Sequence, residues 1–575
     1  MTAGMWLANQ LATSSSRVTP ARRAMRYIIL APSVAAGLSL MTLTPCDPLQ
    51  NIGFVRLPVA AMKVQAQARL DSVGPFPETT HHVQDHFIDQ IGAAHRTVID
   101  ARDAGTVPAW RRLARLLDAE GIVEYGMLAG EKNRADDPAA ADGLIAVAGT
   151  VSGSPVVAAA FDETVLDGTQ SDRNLRKLAK LIFLARRHRW PLILFLTGAG
   201  ARASDPGAVP PILAQGRGRW DILDGLAELS GWSPTVAVLS GAVEDGHLAL
   251  AMLCDCVIAE RDAMLGSAES GVVEARSYAL SGDLDILADD AESAASAARN
   301  YLAFYNSNNG ANDSAKMQAH PDHDALADVI PENRRRPYDM RKVIHRFADD
   351  ASVLELGAEW GKSMLTCLAR LEGRTIGIFA NQPKSPLAGA IDWQAADKAA
   401  RFIELCNAYA YPLTSFVDNP GYMVGPQAEA EGIARHHPRP LSALHHRSVP
   451  LCTVQVRKAY GLGPSAMSGF GVGRVTPELR LAWPSVESGG MSLEGAAFLV
   501  KRREILAAET PAEATAIRDA YAEQMRDATS GVRAGRSYQF DDVILPVDTR
   551  RTIASLLGRT DRRLPATRPH PIDPR

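Results

Sequence analysis

The property that most constrains this chain is that it repeats itself. Gly153 opens G-S-P-V-V-A-A-A-F and Gly373 opens G-R-T-I-G-I-F-A-N, 220 residues later. Gly168 and Gly389, Lys177 and Lys398, and Pro191 and Pro412 are each 221 residues apart. The run Leu192–Leu196 then falls on Leu413–Val417. Pro234-Thr-Val-Ala-Val and Pro450-Leu-Cys-Thr-Val each lead into a glycine-bearing turn, with Gly241 and Gly246 in one and Gly461 and Gly463 in the other. One matched glycine arises by chance. Four anchors within one residue of a common offset, each in the same element, mark a repeated structural unit. Two copies of one α/β unit therefore fill roughly 95–330 and 337–555.

Within the first copy the pattern predicts strand, strand, helix, strand at Leu144–Thr150, Val156–Phe161, Arg173–His188 and Leu192–Leu196, after helical periodicity over Ile88–Leu117. Residues 1–26 read as a flexible lead-in and 27–76 as short apolar runs of small β structure. Polar or Pro- and Asn-rich stretches predict linkers at 77–94 and at about 306–336. The basic, Pro-rich tail 557–575 is expected to be flexible. The domains are then 95–330 and 331–556, behind the small front segment.

Composition removes several classes. Of 575 residues 46% are hydrophobic and 22% charged, as in an ordinary globular protein. Lys and Arg number 61 against 65 Asp and Glu, a net charge of -4, so no basic excess recruits nucleic acid. Six scattered cysteines cannot form a disulfide framework, and Cys254 with Cys256 is too little for zinc. They read as buried thiols of a reducing, cytoplasmic compartment. Arg22, Arg23 and Arg26 before the apolar run Tyr27–Leu43 could form a targeting leader. That run, broken by Pro32 and Gly37, is short for a membrane span.

No nucleophile elbow, zinc motif or phosphate-binding G-x-x-x-x-G-K loop is present. His436-His437 and His445-His446 read as solvated helix residues, and Arg186–Arg189 as a charged helix end. What each copy does offer is a buried strand running into a glycine turn and a helix. The first N–H groups of such a helix point at whatever sits there and can hold a developing oxyanion, as chemistry on a thioester or ureido carbonyl requires.

The second copy resembles the carboxyltransferase of biotin-dependent acyl-CoA carboxylases. The resemblance runs through Gly373–Asn381, Leu387-Ala-Gly-Ala-Ile391, Asp397-Lys-Ala-Ala-Arg-Phe402, Val417-Asp-Asn-Pro-Gly421, Arg457-Lys-Ala-Tyr-Gly461, Ala482-Trp-Pro484, Leu493-Glu-Gly-Ala496, Phe540-Asp-Asp-Val-Ile544 and Asp548-Thr-Arg550. The first copy is similar through Val123-Glu-Tyr-Gly126, Ala141-Asp-Gly143, Phe161-Asp-Glu-Thr-Val165 and Gly198-Ala-Gly-Ala-Arg202. The resemblance implies two tandem crotonase-like ββα spirals. It further implies an acyl-CoA site on the first half and a carboxybiotin site on the second, meeting between subunits of a homo-oligomer. In that family carbon dioxide leaves carboxybiotin, the biotin anion takes the α-proton, and the thioester enolate captures the carbon dioxide.

Carried over residue by residue, the biotin-side turn is Gly461-Leu462-Gly463 and the acyl-CoA-side turn Asp245-Gly246-His247. Cofactor contacts are implied at Gly200, Ala201, Arg202 and Gly421, and Ser465 matches a position that varies with acyl preference. Two departures stand out: Glu244 and Asp245 would oppose enolate formation if they faced inward, and the loop Gly266–Gly271 is short. Residues 31–74 resemble a biotinyl carrier, with Ala31-Pro32, Gly53, Ala61-Met62-Lys63 and Gly74, which implies biotin on Lys63 or on a partner carrier. The expected activity is carboxyl transfer to an acyl-CoA, beside a separate ATP-using biotin carboxylase and with no nucleic acid, membrane or metal. The alternatives are a non-catalytic scaffold subunit with a decayed first half, or a CoA-thioester decarboxylase on the same fold.

Overall fold

The structure, a computed structural model, describes residues 78–130, 141–202, 217–308, 319–334, 336–468, 476–528, 530–560 and 571–573. The chain divides into two compact units, 1–81 and 82–575. The lead-in 1–26 and the carrier-like segment 27–76 with Lys63 lie outside the described residues.

The second unit holds two sheets. The first contains β1 (Val123–Tyr125), β2 (Leu144–Val151), β3 (Ser154–Phe161), β4 (Leu192–Gly198), β5 (Thr235–Glu244), β6 (Cys256–Glu260), β7 (Met264–Ser267), β8 (Gly271–Glu274) and β9 (Ile286–Ala288). Its path is β1-β2-β3-β4-β5-β6-β9, with β7 beside β5 and β8 on β7. The second contains β10 (Leu354–Leu356), β11 (Met364–Leu371), β12 (Arg374–Asn381), β13 (Leu413–Asn419), β14 (Leu451–Tyr460), β15 (Leu479–Ala482), β16 (Glu487–Gly489) and β17 (Asp542–Val543). Its path is β10-β11-β12-β13-β14-β15-β17, with β16 beside β14.

The repeat is thus one topology built twice. Each sheet opens on an antiparallel hairpin, Leu144 opposite Phe161 and Met364 opposite Asn381, and continues in parallel strands. Both β4 and β13 are buried along their whole length; β4 reads as an almost unbroken apolar run, whereas β13 carries Thr414, Ser415, Asp418 and Asn419. Both end in the same register slip, where Gly198 faces Val243 and Asn419 faces Ala459. The helix Asp172–His188 starts at Ser171, which forms a reciprocal cap with Asn174, and buries Leu175, Leu178, Leu181, Ile182 and Ala185 along one stripe. The basic run Arg186–His188 closes that helix, as expected.

The halves are bolted together at a buried seam. Arg401 donates to the Asp255 carbonyl at 2.7 Å and lies 3.4 Å from the Asp285 carboxylate. Tyr409 donates its hydroxyl proton to Asp255 at 2.6 Å. Cys254 and Cys256 flank that carboxylate as buried free thiols.

Three expectations need correction. Residues 78–94, expected as linker, lie within the helix Glu78–Asp103, a stretch with no proline after Pro77 to interrupt a helix despite its polar composition. The linker expected at 306–336 begins inside the helix Ala291–Asn308 and includes the 3-10 turns His323–Val329. The tail is not free throughout. Ile572 is buried, its N–H and carbonyl both bond the Ser230 hydroxyl, and Asp573 pairs with Arg439 at 3.4 Å. No described helix is long and apolar enough to cross a membrane.

Candidate active site

On the second half, β14 runs into Gly461, whose φ of 63° is left-handed and suits glycine. The exposed Leu462 and the short helix Gly463–Ser468 follow. Gly461 donates its N–H to the Gly489 carbonyl at 3.0 Å, and Ser465 donates to the Leu462 carbonyl at 3.1 Å. Between them, the N–H groups of Leu462 and Gly463 have no main-chain acceptor among the described residues. Two adjacent donors at a solvent-facing turn can take one oxygen of a bound ligand. Beside them Gly421 leaves β13 and donates its N–H to Asn419 Oδ1 at 2.9 Å.

A charged cluster supports this turn from beneath. Asp418 is fully buried and accepts from Arg457 Nε at 3.0 Å, the Tyr338 hydroxyl at 2.8 Å and the Lys458 N–H at 3.1 Å. Burial pushes its carboxyl up, and Arg457 and Lys458 oppose that shift. Tyr460 donates to Glu487 at 2.8 Å, and Glu487 also pairs with Arg334.

On the first half, strand register places Asp245-Gly246-His247 where Gly461-Leu462-Gly463 stand on the second. Asp245 has φ 42°, so an aspartate holds the left-handed position that glycine holds at 461. Its carboxylate is exposed and accepts from the Ala268 N–H at 3.5 Å, across the short β7–β8 hairpin that contains Gly266–Gly271. Gly200 packs against the turn so closely that a Cβ there would stand 2.9 Å from the Asp245 Cβ.

Several anticipated residues serve the scaffold with their side chains. The His247 imidazole is buried, with Nε2 2.8 Å from the Gly168 carbonyl and Nδ1 3.3 Å from Gln170 Nε2. Only its main chain is available for substrate. Arg202 binds buried Asp142 at 2.7 Å and Thr169 Oγ1 at 3.1 Å. Gly200 and Ala201 pair with Gln170 through the main chain. Ser465 Oγ donates to the Leu462 carbonyl at 2.6 Å. His436 is not a solvated residue: its Nδ1 lies 2.8 Å from Asp397, which also binds Arg439. That partner stands 39 positions away, beyond any local motif. Asn381, Asn419, Asp418 and Tyr338 carried no assigned role in the sequence, although the first three lie inside matched blocks. No group of His, Cys, Asp or Glu able to hold a metal occurs among the described residues.

A wound α/β unit built twice, with a strand-to-helix turn at the same place in each copy, defines a doubled α/β protein whose second-half turn offers main-chain donors able to hold an oxyanion. Residues 100–567 match the family model described as carboxyl transferase domain. The methylmalonyl-CoA carboxyltransferase 12S subunit of Propionibacterium freudenreichii subsp. shermanii is 33% identical over 497 residues, 81% of this chain and 91% of that one. The propionyl-CoA carboxylase beta chain of Saccharopolyspora erythraea is 30% identical over 499 residues, 81% and 89% of the two chains. Among solved structures, a transcarboxylase 12S crystal structure superposes with a TM-score of 0.70 at 30% identity, covering 86% of this chain and 98% of that one. It is described as a hexamer with methylmalonyl-coenzyme A and methylmalonic acid bound. A single-chain, multi-domain long-chain acyl-CoA carboxylase gives a TM-score of 0.73 at 34% identity over 82% of this chain, which spans 48% of that protein. The chain belongs to the carboxyl transferase domain family and is a carboxyltransferase of the biotin-dependent acyl-CoA carboxylase kind.

Proposed function

We propose that the Leu462 and Gly463 N–H groups hold the ureido oxygen of biotin, and that the main chain of Gly246 and His247 holds the thioester oxygen of an acyl-CoA. Carboxybiotin supplies the carboxyl group. The observation that carries this reading is the pair of adjacent donors at Leu462 and Gly463, without main-chain acceptors among the described residues. Their partial positive charge favours a developing oxyanion over a neutral carbonyl, which is the differential binding that catalysis needs. On this reading Gly421 lines the biotin side, and Gly200 with Ala201 lines the acyl-CoA side and lets the Asp245–Gly246 turn approach. Arg202 acts one step back, by fixing Asp142 and Thr169 beneath that loop.

The two turns meet across copies of the chain, the first half of one against the second half of another. Exposed apolar residues on the biotin-side turn and along the segment that follows Gly489 support this: Leu462, Met491, Phe498, Leu499 and Val500 are all solvent-facing. A separate ATP-dependent biotin carboxylase recharges the biotin. Lys63 carries that biotin, or a partner carrier does, and the intact mass of chain co-expressed with a biotin ligase distinguishes the two. The reading is tested with Leu462→Pro, which deletes one N–H under an exposed side chain. Transfer from malonyl-CoA to free biotin should fall by about two to three orders of magnitude in a folded variant. Unchanged transfer would remove this turn from the site.

A further inference from the structure

Three positions coincide between the halves and are filled in opposite ways. The last residue of the hairpin strand is Phe161 in one half and Asn381 in the other, facing Leu144 and Met364. The slipped residue is Gly198 or Asn419, facing Val243 or Ala459. The residue four beyond that partner is His247 or Gly463. In the first half the His247 ring meets the Phe161 ring edge-on, with centroids 4.3 Å apart, and Gly198 lies against the Asp167–Gly168 main chain, where a Cβ would collide. In the second half Asn419 projects toward the turn, and a Cβ on Gly463 would collide with Asn419 Oδ1 and stand 2.9 Å from the Gly421 Cα.

The two asparagines are fully buried and joined. Asn381 Oδ1 accepts from Asn419 Nδ2 at 3.4 Å and from the Asp418 N–H at 3.3 Å. Asn419 Oδ1 in turn accepts the Gly421 N–H at 2.9 Å. Burying two amides costs more than burying the phenyl ring and bare glycine of the first half, unless directional bonds are the return. Here one of those bonds holds the Gly421 N–H, and the same Asn419 Oδ1 packs where a side chain at Gly463 would stand.

We propose that Asn419, seated on Asn381, is a positioning residue for the biotin-side turn. It fixes Gly421 and Gly463 relative to one another and so aims the Leu462 and Gly463 N–H groups. The proposal rests on the reading that this turn holds biotin's ureido oxygen. An error of about 1 Å in such aim can cost about 100-fold in rate. A bond that only stabilised the fold would move the melting temperature and leave kcat alone.

The test compares Asn419→Ala, Asn381→Leu and Leu462→Pro in the full-length protein, using transfer from malonyl-CoA to free biotin. Asn419→Ala should lower kcat about 10- to 100-fold, with the malonyl-CoA KM within about twofold. Asn381→Leu removes the acceptor that seats Asn419 while leaving Asn419 in place, and should lower kcat by about 10-fold at unchanged KM. Full kcat in Asn419→Ala would overturn the proposal. If Asn419→Ala fails to fold, the Asn381 variant decides: folded and slow at unchanged KM supports the role, folded with full kcat overturns it. Activity retained in Leu462→Pro would overturn the reading of the turn itself. Activity lost there but kept in Asn419→Ala would overturn the positioning role alone.

Discussion

Lys398 repeats Lys177 in role as well as in sequence. Lys177 Nζ donates to the main-chain carbonyls of Gly126, Ala141 and Leu144, and Lys398 Nζ to those of Gly357, Trp360 and Met364. In each half the buried ammonium ties the edge strand to the first residue of the hairpin that starts the sheet. Burial pushes the Lys177 amine down to about 8, against the pull of the Glu124 and Asp142 carboxylates.

Lys177→Met and Lys398→Met should each strand three carbonyls and lower stability by about 3 kcal/mol. Urea unfolding of the two variants measures this. A loss below about 0.5 kcal/mol in either would show that the carbonyls find other partners.

Asp255, at the seam between the halves, gives a pH dependence with a definite sign. Burial pushes its carboxyl from 3.8 up to about 6, against the hydrogen bonds from Tyr409 and Thr235. Between about pH 4 and 6 the folded protein therefore keeps a proton that the unfolded chain has released. The stability from this group is fully present below about pH 4 and is lost as pH rises through about 6, by up to about 3 kcal/mol. Asp255→Asn removes the titration, so the variant should gain on wild type as pH rises from about 4.5 to 7. A stability difference that does not change with pH would contradict this.

Asp245 bears on the turn proposed to hold the acyl-CoA. Its carboxylate is exposed and drawn toward Ala268, so its opposition to an enolate is screened by water. At a distance of about 4 Å in water that opposition is about 1 kcal/mol. Asp245→Gly should therefore raise kcat by no more than about fivefold and leave the fold intact. A rise of about 100-fold would mean the carboxylate faces inward and suppresses the first half.

The apolar side chains Phe498 and Leu499 are 42% and 58% exposed at the end of the helix Leu493–Val500. Covered by a second copy, they would tolerate no charge there. Phe498→Glu with Leu499→Glu should shift the chain to smaller species in sedimentation and abolish transfer if the site is shared between copies as proposed. A monomeric wild type with full activity would contradict the shared site.

Much of this was legible in the sequence because it is periodic. The predicted strands Leu144–Thr150, Val156–Phe161 and Leu192–Leu196 agree with β2, β3 and β4 to within two residues at each end. Lys177 and Lys398 were visible as a spaced pair, although nothing in their spacing tells that an ammonium will gather three carbonyls. What escaped depends on distant partners. His436 meets Asp397, Arg202 meets Asp142 and Ile572 meets Ser230 only after the sheets form. Asn419 escaped for another reason. Its significance lies in the absence of a side chain at Gly463, and a glycine in a turn reads as conformational freedom before it reads as room for a neighbour.

The most direct measurement follows a labelled carboxyl group from malonyl-CoA or methylmalonyl-CoA to free biotin with the purified chain. Label should enter carboxybiotin only when thioester and biotin are both present, and Leu462→Pro should reduce it by about two to three orders of magnitude. A folded chain that binds the thioester yet moves no label would be a scaffold. Label lost as carbon dioxide at the same rate without biotin would make the chain a decarboxylase, and either result would contradict the carboxyltransferase account.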